Sequence, residues 1–175
     1  PGALATSGSQ RVTISGANFG PSTQKLTDVQ VSFSTAAPWN LAVQMQYTLA
    51  IVSISHTAIV ATTVAGVGPN LKVTVTVGKQ TTTSNSPLAA YATPTITGVT
   101  AMVGSGTDIA ALTGSGGELL IITGTSFGPL ALPASGGTTV AYAPTLLYGP
   151  FGNIFGFRNC TRVAGSEHTT ANCLT

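Results

Sequence analysis

The chain has 175 residues, of which 43% are hydrophobic and only 6% charged, against about 25% charged in an ordinary soluble domain. Six Lys/Arg and four Asp/Glu give +2, spread along the chain, which excludes the dense basic face that nucleic-acid binding requires. No uninterrupted apolar run approaches the ~20 residues of a membrane span, because the greasy "AYAPTLLYGPFGNIFGF" is broken by Pro and Gly.

Polarity is carried by Thr, Ser, Gly, Asn and Gln. Such a surface lacks the mixed charges that keep lone soluble domains apart. It is expected of a secreted or surface protein kept soluble by glycans, or of one covered by partners. The opening "PGALATSGSQ" is turn-like and carries no signal peptide, so the chain is expected to be a mature or excised fragment. "RVTISG" then places Val12 and Ile14 on one face of a strand. "GANFGP", residues 16–21, follows as a turn. "DVQVSFS" sets Val29, Val31 and Phe33 on an inner face. "AAPWNL" puts Trp39 in a Pro-containing loop, as an interface anchor or a core plug.

Next comes "HTAIVATT" from His56, a strand leading into the Gly-rich turn "AGVGPN". In "LKVTVTVG", Leu71, Val73, Val75 and Val77 alternate with Lys72, Thr74 and Thr76. "KQTTTSNSP" invites O-glycans, although exposed strand faces favour Thr in any case. "TGSGGE" has neither the Lys nor the helix start of a phosphate loop and reads as a connection between strands. In "ELLIITG", Leu120 and Ile122 match the inner Val12 and Ile14. Leu119 and Ile121 then lie on the outer face, where the earlier strand has Arg11 and Thr13. That apolar outer face, with Phe151, Phe155 and Phe157 nearby, is the expected interface with another domain or subunit. No segment has a helical period, and the chain reads as all-β.

The hexapeptide recurs. "GANFGP" returns as "GTSFGP" at 124–129, an offset of 108, and "HTAIVATT" returns as "HTTANCLT" at an offset of 112. About four additional residues therefore fall between these landmarks in the second copy, placed in the loop "LALPASGG". A period near 110 suits a whole sandwich domain rather than a solenoid unit.

The residues that repeat also carry a resemblance. "VTISGANFGP", "VSF", "HTAIVATTVAGVGPNLKVTVTVGKQTTTS" and the closing "YATPTITGV" resemble the IPT/TIG domain. The resemblance implies an immunoglobulin-like fold, found in receptor ectodomains, in fibrous and surface proteins and in some transcription factors. It covers nearly the whole chain as two copies, a tandem of immunoglobulin-like β-sandwiches at residues 1–93 and 94–175. Counted against the repeat, the first copy lacks the counterpart of residues 94–108, which hold the first strand. The second lacks the counterpart of 64–93, the last two strands. The absent stretches total 45 residues and bring the chain to two periods of about 110.

Within the hexapeptides, Gly16 and Gly20 are expected to supply backbone angles closed to other residues. Phe19 and Phe127 are expected to plug the core, and Pro21 and Pro129 to stop the strand. Gly124 and Gly128 are the counterparts of the two glycines. Cys160 and Cys173 sit 13 apart around a Gly-Ser turn, so that a hairpin-like crossing could bring them together. A disulfide there resembles IPT domains that carry one at this place; buried free thiols and a two-cysteine metal site are the alternatives. Asn159-Cys160-Thr161 is an N-glycosylation sequon.

Groups for catalysis do not gather. Asp28, Asp108, Glu118 and Glu167 are scattered in or beside turns, unlike the facing carboxylates of glycoside hydrolysis or the clustered acids of a calcium site. His56 and His168 occupy equivalent positions before a strand, which favours a structural role over membership of a catalytic triad. The sequence therefore predicts no enzyme, no cofactor and no metal. It predicts an extracellular or cell-surface structural module that self-associates into a homopolymer, with glycans admitted and strand sharing between molecules as one route. The alternative is a receptor or adhesin ectodomain that binds a protein or glycan ligand.

Overall fold

A computed structural model of the chain describes residues 2–35, 44–102, 112, 115–143, 145–148, 155–156 and 158–175. Among these the only helical element is a 3-10 turn at Leu26–Asp28; everything else that is regular is strand. In chain order the first strands are β1 (Arg11–Ser15), β2 (Val29–Thr35), β3 (Gln46–Thr48), β4 (Ala50–Ile54), β5 (Ala58–Thr62), β6 (Leu71–Val77) and β7 (Gln80–Thr83). They are followed by β8 (Thr95–Met102), β9 (Leu119–Thr125), β10 (Ala131–Pro133) and β11 (Thr139–Ala141). The last are β12 (Leu147–Tyr148), β13 (Phe155–Gly156), β14 (Arg158–Arg162) and β15 (Thr170–Leu174).

Two compact units result: Pro1–Ala92 with Ala131–Val140, and Thr93–Leu130 with Ala141–Thr175. The first unit has a three-stranded sheet ordered β1-β5-β4 and a four-stranded sheet ordered β3-β2-β6-β7. The period-2 pattern decides which side is buried. In β2 and β6, Val29, Val31, Phe33, Leu71, Val73 and Val75 are buried, while Gln30 is exposed and Thr74 and Thr76 are half-buried. The other sheet adds Ile54, Ile59 and Ala61 to the core. On the opposite face of β6 and β7, the hydroxyls of Thr74 and Thr83 meet at 2.9 Å and those of Thr76 and Thr81 at 2.8 Å. Cross-strand bonding of this kind stabilises a solvated sheet face.

Two tyrosines fix the crossing between β5 and β6. Tyr47 is fully buried, and its hydroxyl donates to the Val67 carbonyl at 2.8 Å while accepting from the Val67 N–H at 3.3 Å. The Tyr91 hydroxyl donates to the Val64 carbonyl at 2.8 Å. Their rings meet edge to face with centroids 5.2 Å apart, an arrangement worth about 0.5–1.5 kcal/mol beyond area burial. Gly66 passes between them: a Cβ there would lie 2.6 Å from atoms of both rings. This is why "AGVGPN" has glycine at its second position.

The second unit has a four-stranded sheet ordered β14-β15-β9-β8 and the two-stranded pair β12-β13. Ile122, Phe127, Ala171 and Cys173 form its core cluster, with Val99, Leu146 and Cys160 packed against it. The segment "LALPASGG", where the repeat offsets place a loop, is partly strand. Ala131–Pro133 pairs with β11 as a hairpin, closed by a bond from the Ala134 N–H to the Thr138 carbonyl at 2.8 Å. Gly136 and Gly137 turn the chain with φ of 83° and 77°. Ala134 also bridges to Met45 of the first unit, to which the segment belongs.

Two outcomes follow. Gly66→Ala is expected to lower stability by about 1–3 kcal/mol through overpacking against Tyr47 and Tyr91, read as a shift in the urea midpoint at unchanged m-value. Burial, reinforced by the neighbouring Tyr47, raises the pKa of the Tyr91 phenol above its ordinary value of 10.0. Below pH 10 neither the folded nor the unfolded chain releases that proton. Above it the unfolded chain loses a proton the native state retains, so stability falls as pH rises. Thermal midpoints measured between pH 8 and 11 should show this decline, and Tyr91→Phe should flatten it.

Candidate functional site

The repeated hexapeptides are built alike. The Gly16 N–H donates to the Thr57 carbonyl at 3.0 Å and the Phe19 N–H to the His56 carbonyl at 3.2 Å. In the second unit the Gly124 N–H donates to the Thr169 carbonyl at 2.8 Å and the Phe127 N–H to the His168 carbonyl at 2.9 Å. The strand before each turn pairs in the same register with the strand after each histidine: Val12↔Ala61 and Ile14↔Ile59 in one, Leu120↔Cys173 and Ile122↔Ala171 in the other. What recurs at His56 and His168 is thus a main-chain acceptor.

The glycines act differently from each other. Gly20 and Gly128 have φ of 99° and 86°, in the left-handed region that favours glycine. Gly16 and Gly124 do not; a Cβ would lie 2.3 Å from the Phe19 ring at the first and 2.6 Å from the Phe127 ring at the second. Both let the buried phenylalanine fold back over the chain, and Gly124 also admits the Thr95 carbonyl of β8, which lies nearer still to the Cβ position. Within the two turns the other left-handed residues are Asn18 and Ser126, with φ of 62° and 60°, so the third position, Asn in one copy and Ser in the other, carries a backbone requirement that Asn meets readily. Pro21 and Pro129 come after the change of direction, since β1 has ended at Ser15 and β9 at Thr125.

One residue of the second turn was not legible in the sequence. Arg162, near the end of β14, donates from its guanidinium to the carbonyls of Phe127 (2.8 Å), Gly128, Pro129 and Tyr142. It also stacks over the Tyr142 ring, 4.8 Å from the centroid. The corresponding register position in the first unit is the buried Ile54, opposite Ile59 as Arg162 is opposite Ala171. Burial lowers the Arg162 pKa and raises that of the Tyr142 phenol. Burial likewise lowers the His168 pKa.

Cys160 and Cys173 form a disulfide joining the adjacent strands β14 and β15, with Cα atoms 4.1 Å apart. Asn159 lies in β14; its side chain is outside the described residues, as is that of Phe155 in β13. Trp39, Phe151 and Phe157 also lie outside them. Leu119 and Ile121 face away from the core. Leu119 is paired to Met102 on one side and to Leu174 on the other, so the three form an apolar row across the sheet. Met102 and Leu119 are 54% and 36% exposed. Beside them, Asn172 pairs with Ile121 and has a buried side-chain oxygen with no hydrogen-bond partner among the described residues.

Among the described residues, no group of three or more His, Cys, Asp or Glu is placed to hold a metal ion. No helix there is long and apolar enough to cross a membrane. Two sheets packed about an alternating core, with no α-helix among the described residues, define an immunoglobulin-like sandwich protein. The chain belongs to the IPT/TIG domain family, which matches residues 1–91. Domains of this family are generally binding or structural modules, and the match points to no enzyme family. The chain has no significant match among curated proteins.

The disulfide closes a loop of about a dozen residues, for which chain entropy gives about 3 kcal/mol. Replacing both cysteines by Ser should lower stability by 2–4 kcal/mol, read by chemical unfolding of the double variant beside the oxidised parent.

Proposed function

We propose that the chain is a non-enzymatic structural module made of two IPT/TIG copies in series, residues 1–93 and 94–175, which self-associates into a homopolymer outside the cell. The matching turn geometry, register and carbonyl acceptors of the two units support a second copy beyond the residues the family matches. The observation that carries self-association is the row Met102–Leu119–Leu174 on a sheet face turned away from its own core. In a chain with so few charges, little opposes its burial against a neighbour. The disulfide is in keeping with an oxidising compartment.

Sedimentation over a wide concentration range should show association of the oxidised chain. The paired change Met102→Lys with Leu119→Lys should weaken it at least tenfold, since each buried apolar side chain contributes about 1.5–3 kcal/mol, with melting temperature retained. A monodisperse monomer at every concentration, with no filaments in electron micrographs, would sink the proposal.

A further inference from the structure

The equivalent edge strands β4 and β14 are fastened to their sheets by different means. Each is bonded on one side only among the described residues, β4 by β5 and β14 by β15. Each also carries an additional residue at the same place in its ladder. Val52 falls between the pairs Ile51↔Ala61 and Ser53↔Val60, and Asn159 and Cys160 fall between Arg158↔Leu174 and Thr161↔Asn172. From the contrast at this bulge we infer that Cys160–Cys173 is a redox-operated clasp, closed by oxidation and opened by a dithiol. It governs whether β14 and its Arg162 hold the second G-x-x-F-G-P turn. The clasp is separate from the apolar row invoked above and does not depend on self-association.

A bulge interrupts the ladder and leaves a residue unpaired. In the first unit the strand is nonetheless anchored next to its bulge, because Ile54 is only 6% exposed opposite Ile59. The second unit has Arg162 at that register position, opposite Ala171. Its guanidinium donates to the Phe127, Gly128 and Pro129 carbonyls of the turn. Water competes for such donors and acceptors, so their net contribution is modest, and they hold the turn only while β14 stays in place. The disulfide keeps it there. Cys160 precedes Arg162 on the same face of β14, packs against the core cluster and is tied to Cys173, a buried member of that cluster. The corresponding residues of the first unit are Val52 and Ala61, since Ala61 pairs with Val12 as Cys173 pairs with Leu120.

The two sulfurs are unequally accessible. Cys160 is half-buried and Cys173 has no exposed surface, so an incoming thiolate meets the Cys160 sulfur. A mixed disulfide forms there as the S–S bond breaks, and Cys173 leaves as a thiolate that takes up a proton. The second thiol of the reductant then displaces Cys160, which becomes a thiol, and the reductant departs as a disulfide. Two electrons and two protons pass from the dithiol to the protein. β14 is then left with a bulged ladder and the polar bonds of Arg162, and the turn loses its fastening as the strand lifts.

Native-state amide hydrogen exchange of the whole chain, with and without dithiothreitol, tests the clasp, and a count of free thiols follows the bond. The N–H groups of Gly124 and Phe127, bonded to Thr169 and His168, report the second turn. Those of Gly16 and Phe19, bonded to Thr57 and His56, report the first. Release of the thiols should come with exchange about tenfold faster or more at Gly124 and Phe127, and with no change at Gly16 and Phe19. In the oxidised chain, Arg162→Gln should speed exchange at Phe127 to a similar extent. Dithiothreitol should then add little, because both changes undo one clasp. The reduction experiment needs no altered protein. Unchanged exchange once the thiols are free, or equal acceleration in both turns, overturns the inference. Separate, additive effects of reduction and of Arg162→Gln overturn it too, as does a bond that dithiothreitol leaves closed in the absence of denaturant.

Discussion

Antiparallel pairing between the strand that enters the G-x-x-F-G-P turn and the strand that follows the histidine is the constraint on which each unit rests. The turn pins that pairing at one end. Two main-chain N–H groups, from the glycine and the phenylalanine, reach back to consecutive carbonyls across the sheet. The phenylalanine ring then lies over the glycine where a Cβ would stand. A slip by one residue would break both bonds and turn every inner side chain outward. Register, core and turn are therefore one interaction seen at three scales.

The same pairing carries different neighbours in the two units. Where β8 lies alongside, the inner residues of β9 are sealed from solvent and a small Ala101 suffices to finish the core. Where β1 has one bonded neighbour among the described residues, a cleft opens beside Val12 and Ile14 in place of a closed seam. Arg162 is a further divergence. A guanidinium shared among four carbonyls holds the second turn, at a register position where the first unit has an isoleucine. A planar cation with five donors can satisfy converging acceptors in a way no apolar residue can.

The outer faces divide along similar lines. β6 and β7 present Thr pairs whose hydroxyls bond across the strands, a solvated face that gains nothing from a partner. The face of β9 and β8 presents Met102, Leu119 and Ile121 instead. With only 6% charged residues in the whole chain, apolar area of this kind is the main feature distinguishing one surface from another.

The all-β class, the alternating inner faces of β2 and β6, and the repeat itself were legible in the sequence, because each is written as period-2 pattern or as identity at a fixed offset. The hexapeptide was legible as a turn, yet the division of labour among its residues was not. That Gly16 serves a ring's approach while Asn18 holds the left-handed angle depends on where Phe19 folds, which only the tertiary structure decides. Gly66 between two tyrosines, and Arg162 over four carbonyls, are equally invisible, since their partners lie 19 to 35 residues away in the chain. "LALPASGG" read as a loop because the additional residues of the second copy fall there; its pairing with β11 is not written in that offset. Local pattern fixes which face of a strand is apolar. Which strands lie beside it, and so whether that face is sealed or open, is settled by contacts the sequence does not spell out.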